Sequence, residues 1–171
     1  MMNVFFFRVR MKIFALVLIA LALSGCSDSA KSRSLNSKIQ AVQADVFYPE
    51  NQPHFDFKTA NQAKPVLVAF WATWCEACKE ELPALNEIAK QHSSKLEVVS
   101  INVQEEAEHV KEFLSSTNLK YPVILDESGE LSDLFGVTAI PSVVLLAKGG
   151  EILYYGFRLP TLEKLEEALG V

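Results

Sequence analysis

Three cysteines and three histidines in 171 residues leave little from which to build a metal cluster. His54, His92 and His109 are scattered without any spacing that ligands share. A closed zinc site needs about four ligands, so no metal and no bound cofactor is expected. Basic residues are outnumbered by acidic ones, 16 against 21, and no basic patch with interleaved aromatics occurs, which argues against a nucleic-acid partner. Without Arg8, Arg10 and Lys12, which sit in a leader, 13 basic residues face 21 acidic ones and the net charge becomes −8. The chain is also too short for two domains. With 50% hydrophobic and 22% charged residues it suits one domain with a real core.

Long apolar runs are scarce as well. Ile13 to Leu23 is continuously apolar but falls short of the roughly 20 residues that a comfortable membrane span needs. Following basic residues and preceding small ones, it reads as the h-region of a secretory signal peptide over residues 1–25, with a transmembrane anchor as the alternative. Leu23-Ser24-Gly25-Cys26 resembles the lipobox of bacterial lipoproteins. That resemblance implies that Cys26 is lipidated, becomes the first mature residue and holds the protein on a membrane. Met11-Lys12 would also make a conventional start for the signal, residues 1–10 then being an upstream extension. Residues 26–45, rich in Ser, Lys, Asn and Gln, read as a flexible tether, although Leu35, Ile39 and Val42 have the spacing of a short amphipathic helix.

What the chain does have is Phe70-Trp71-Ala72-Thr73-Trp74-Cys75-Glu76-Ala77-Cys78-Lys79. Pro65 to Trp71 is apolar and β-rich, as a strand covered on both faces would be. Glu76 to His92 then has a helical pattern with Leu82, Leu85, Ile88 and Ala89 on one side and Pro83 as an expected kink. Strand, tight turn, Cys-X-X-Cys and helix is the order of a dithiol redox site. A cysteine at the helix mouth meets unpaired backbone N–H groups and the positive end of the helix dipole, which lower its thiol pKa. Cys75 is therefore the expected nucleophile and Cys78 the resolving thiol. A structural disulfide or half a zinc site is the plainer alternative for the pair.

Trp71 to Pro83 resembles the active site of thioredoxin-fold proteins, and most of all that of the membrane-anchored, extracytoplasmic ResA/TlpA-like thiol-disulfide oxidoreductases. The resemblance covers roughly residues 46–171. It implies an α/β thioredoxin-like domain, a mixed central sheet flanked by helices, with the inserted strand and helix of the TlpA-like type before Pro141. It also implies protein disulfides as substrates, apocytochrome c among them, a membrane thiol-disulfide electron donor, and a monomer.

The remaining elements are expected as a hairpin over Val46 to Lys58, strands over Leu96 to Asn102 and Tyr121 to Asp126, and helices over Glu105 to Thr117 and Glu130 to Phe135. Ser142 to Ala147 and Glu151 to Gly156 should pair across Lys148-Gly149-Gly150, with a last helix over Thr161 to Leu169.

Glu81 lies three residues beyond Cys78, hence on the same helix face. A solvated glutamate is the ordinary alternative, and it suits Glu80. By resemblance Glu81 matches a buried glutamate of ResA-like proteins, whereas the buried aspartate of thioredoxin would fall at Ala69. A carboxylate close to both sulfurs and partly desolvated would have a raised pKa and exchange protons with Cys78. Glu76 between the cysteines should face solvent and disfavour the thiolate slightly, favouring a reducing pair. Ala77 stands where relatives with Cys-Glu-Pro-Cys carry proline. X-Pro bonds are cis in only about 5% of cases, but the resemblance implies a cis Ile140-Pro141 facing the cysteines. Its role would be to leave the Ile140 backbone open to pair with a substrate strand. Trp74, next to the nucleophile, is expected on the docking surface. Two rival activities remain. A thiol peroxidase would want a threonine three residues before its cysteine, which Thr73-Trp74-Cys75 does not supply, and a copper-binding assembly factor would want wider cysteine spacing and a placed histidine.

Overall fold

The computed structural model describes residues 32–52 and 54–170. The leader, the lipobox and Cys26 lie outside them. Residues 32–40 are helical (α1). There follow β1 (Gln43–Tyr48), β2 (His54–Asp56), α2 (Phe57–Ala63), β3 (Val66–Trp71), α3 (Glu76–His92), β4 (Glu97–Val103), α4 (Ala107–Ser115), β5 (Val123–Asp126), α5 (Glu130–Phe135), β6 (Ser142–Leu146), β7 (Ile152–Gly156) and α6 (Leu162–Leu169). The strands form one mixed sheet in the order β2-β1-β5-β4-β3-β6-β7. Strands β3, β4 and β5 run parallel, and β1, β6 and β7 pair antiparallel with their neighbours. No helix among the described residues is long and apolar enough to cross a membrane.

All six side chains of β3 are buried, as a central strand covered on both faces requires. Alternation sends Leu67, Ala69 and Trp71 into one core with Cys78, Leu82 and Leu85 of α3, Val110 and Leu114 of α4, and Leu165 of α6. Phe70 points the other way, its ring 5.3 Å from that of Phe135 on α5, which lies 5.7 Å from the ring of Phe57 on α2. The sheet is thus sandwiched by helices that take opposite parities of the same strand.

Three boundaries differ from the sequence-based expectation. The tether expected to reach Asp45 ends earlier. The compact unit starts at Asn36, Ile39 is fully buried, the Asn36 side-chain amide donates to the Gly149 carbonyl at 3.0 Å, and β1 begins at Gln43. One apolar residue per turn sufficed to dock α1, so the polar remainder was no sign of a loose chain. Helix α2 is new. Asp56 caps it by accepting from the Thr59 N–H at 2.9 Å, an arrangement of a capping aspartate three residues before its donor that the alternating aromatics around it concealed. Helix α4 begins at Ala107 and not at Glu105, because Gln104 has a positive φ of 54° and Glu105 turns inward. Elsewhere the expected elements stand within a few residues. Gly149 and Gly150, with φ of 93° and 97°, make the β6–β7 turn, and helix α3 continues through Pro83.

Candidate active site

Strand register decides which residues meet. Trp71 at the end of β3 is level with Asn102 on β4, while Phe70 is level with Ser142 on β6. The loop 72–75 therefore emerges between the turn after β4 on one side and Ile140-Pro141 on the other.

Within that loop the Cys75 N–H bonds to the Ala72 carbonyl at 3.1 Å. Cys75 is the N-cap of α3, with extended backbone, and its sulfur accepts from the Cys78 N–H at 3.2 Å. Cys75 and Cys78 are joined as a disulfide, with Cα atoms 5.2 Å apart. Both are buried, Cys75 at 7% exposure and Cys78 at 2%, and in a helix the second residue of such a pair is the one that faces the core. Once reduced, the Cys75 sulfur sits where free N–H groups and the helix dipole favour a thiolate.

Glu81 is half-buried, and it lines a small cleft with Ala69, Cys78, Pro141 and Leu159. Burial pushes its carboxyl above the ordinary 4.5, opposed by a hydrogen bond from the Leu159 backbone and by the charge of Arg158. The Ile140-Pro141 peptide is cis, and both residues are partly exposed. Glu76 is 82% exposed and its carboxylate is paired with Lys79 at 2.6 Å. Ala77 is exposed. The two tryptophans divide: Trp71 is buried, its indole N–H donating to the Ser100 hydroxyl at 3.2 Å, whereas Trp74 is 67% exposed. Trp74 stands between two open clefts. One, of about 330 Å³, is shared with Gln104, Asp133 and Ile140; the other is shared with Thr73, Glu105 and His109.

Sequence reasoning missed Glu105. It is 9% exposed, and three donors converge on its carboxylate: the Thr73 N–H at 2.6 Å, the Thr73 hydroxyl, and the Asn102 side-chain amide at 2.7 Å. The faint signal was a glutamate three residues after an asparagine at the end of an apolar strand. Among the described residues no group of three His, Cys, Asp or Glu side chains could hold a metal ion.

A helix-capping cysteine paired with a second one turn on, beside a cis proline on a mixed sheet covered by helices, defines a protein of the thioredoxin fold. The Redoxin family profile matches residues 35–169, and the chain belongs to that family. Among curated proteins it is 35% identical over 115 residues to the thiol-disulfide oxidoreductase ResA of Bacillus thuringiensis subsp. konkukian (strain 97-27), a match covering 67% of this chain and 64% of that one. It is 31% identical over 134 residues to sporulation thiol-disulfide oxidoreductase A of Bacillus subtilis (strain 168), covering 76% and 81%. Among solved structures, StoA from Bacillus subtilis superposes with a TM-score of 0.62 at 26% identity, over 74% of this chain and 94% of that one. The ResA/TlpA-like resemblance read from Trp71 to Pro83 thus holds across most of the domain.

Proposed function

We propose that the protein is an extracytoplasmic thiol-disulfide oxidoreductase, lipid-anchored through Cys26, that reduces disulfides in protein substrates. The observation that carries the reading is the Cys75–Cys78 pair at the mouth of α3, with Glu81 and Pro141 lining the cleft beside Cys78. The names of its relatives support the chemistry. By the ResA-like resemblance, apocytochrome c is the proposed substrate and a membrane dithiol relay the donor. The lipobox and the preceding h-region support the location.

In the reduced state Cys75 attacks one sulfur of the substrate disulfide as a thiolate. A Cys75–substrate bond forms, the substrate S–S bond breaks, and the departing sulfur takes up a proton. Cys78 then loses its proton, for which Glu81 is the nearby acceptor, and attacks the Cys75 sulfur. The Cys75–Cys78 bond closes and the second substrate sulfur leaves as a thiol. Two electrons have passed from the dithiol to the substrate, and a donor dithiol must return them. Trp74, Glu76, Ala77 and Ile140-Pro141 form the surface against which the substrate lies, Ile140 supplying backbone for strand-like pairing.

The test is a stalled intermediate. Reduced Cys78→Ser protein mixed with an oxidised disulfide-bonded polypeptide should gain the mass of that polypeptide at Cys75 and lose it again on adding a dithiol, whereas Cys75→Ser should gain nothing. An absent adduct, or one that forms equally in Cys75→Ser, overturns the reading.

A further inference from the structure

The disulfide, the cis proline and Glu81 leave unexplained the most densely hydrogen-bonded carboxylate beside the site. Glu105 belongs to no helix and is not exposed. Its carboxylate is the acceptor for both donors of Thr73, the residue two before Cys75, and for Asn102. Asn102 is itself fully buried, and among the described residues its side-chain oxygen has no partner, its amide being held by Glu105. The left-handed turn at Gln104 sets this up. The Gln104 N–H bonds to the Asp126 carbonyl at 2.9 Å, and the φ of 54° reverses the chain so that successive side chains diverge. Gln104 lines the cleft on the Ile140 side of Trp74, and Glu105 the cleft on the other side. The turn that closes β4 therefore grips the loop that carries both Trp74 and the nucleophile.

We propose that Glu105 is a positioning residue for substrate docking: by holding Thr73 at its N–H and hydroxyl it fixes the loop 72–75, and so keeps Trp74 standing between its two clefts while Cys75 is aimed at the substrate disulfide. The proposal rests on the disulfide-exchange reading and deepens it. A large substrate must fit the ring and the flanking clefts as well as offer a sulfur, whereas a small disulfide needs only the sulfur. Loosening the loop should therefore penalise a polypeptide more than a small molecule.

Glu105→Gln puts an amide group where the carboxylate accepts from three donors, and Thr73→Val removes the hydroxyl while keeping the side-chain shape. For each variant kcat/KM is measured with an oxidised disulfide-bonded protein and with oxidised glutathione, and the ratio of the two is taken, since a loss of folded protein lowers both equally. The ratio should fall about tenfold in each single variant, the size expected when one charge-assisted hydrogen bond is lost. In the double variant it should fall by less than the product of the two single losses, because the hydroxyl–carboxylate contact is common to both. Thr73→Ser, which keeps the hydroxyl, should restore most of the ratio. An unchanged ratio, additive losses in the double variant, or a Thr73→Ser protein as impaired as Thr73→Val overturns the proposal. Should Glu105→Gln not fold, the Thr73→Val and Thr73→Ser pair decides alone. Should the unsubstituted protein reduce neither substrate, it is the disulfide-exchange reading that fails.

Discussion

A carboxyl group that shares a cleft with a thiol acts on it through its charge and through its proton. Glu81 shares one with Cys78, and burial raises its pKa. A negative charge there opposes a second one on sulfur, and a carboxylate of raised pKa takes the proton of the resolving thiol more readily. Glu81→Gln should therefore lower the apparent pKa of Cys75 and slow the reduction of a protein disulfide. Glu80→Gln, at an exposed position, should do neither. A pH titration of iodoacetamide labelling separates the two, and equal titrations would make Glu81 an ordinary surface carboxylate. Stability carries the same sign. A native pKa above the ordinary 4.5 means that Glu81's contribution is complete below that pH and is lost as pH rises through the raised native value. Urea unfolding should then show Glu81→Gln gaining on the parent at pH 7 and not at pH 4. Glu81 was legible in the sequence because three residues on a helix fix a direction. Glu105 was not, since its inward course depends on the backbone of Gln104, and a glutamine gives no warning of a left-handed turn.

Elements were legible where period and burial agreed. Strand β3, buried on both faces, and helix α3, with one apolar side, are each announced by their pattern, and the glycine pair fixes the β6–β7 turn. Helix α2 was missed, and α1 was weighed only as the alternative to a tether on the Leu35, Ile39 and Val42 spacing; both are short and polar, and each is held by a tertiary contact. Ile39 is fully buried, the Asn36 amide reaches the Gly149 carbonyl, and the Phe57 ring packs at a tilt against Phe135, contacts that no local pattern encodes. That aromatic contact makes α5 more than an appendage. Phe135 is 4% exposed and touches both Phe57 and Phe70, so it ties α5 to α2 and to the strand leading into the active site. Phe135→Ala should lower stability by about 3–5 kcal/mol in urea unfolding, the range for truncating a buried phenylalanine. A loss below about 1 kcal/mol would mean that α5 is only lightly attached.

At the scale of the whole molecule, the question is how an acidic domain reaches its substrates. Nine residues separate Cys26 from Asn36, where the compact unit begins, and the ten Cα–Cα steps across them span no more than about 36 Å. A lipid on Cys26 would thus keep the redox site near the bilayer, in reach of a membrane dithiol donor and closed to substrates that do not approach the membrane. One acyl chain gives only marginal membrane binding, and stable anchoring takes a second signal. Without its leader the chain would carry a net charge of −8 and offer no basic patch to serve as that signal on an anionic surface, so a lipid on Cys26 would need more than one acyl chain to hold it. Cys26→Ser should therefore leave an unlipidated precursor, with an intact mass that still includes the apolar leader and lacks acyl groups. The folded domain should still reduce a protein disulfide in solution, because nothing in the site depends on Cys26. If the intact mass of the variant matches that of the parent, Leu23-Ser24-Gly25-Cys26 is no lipobox, and the reach of the domain must be set by something other than a lipid on Cys26.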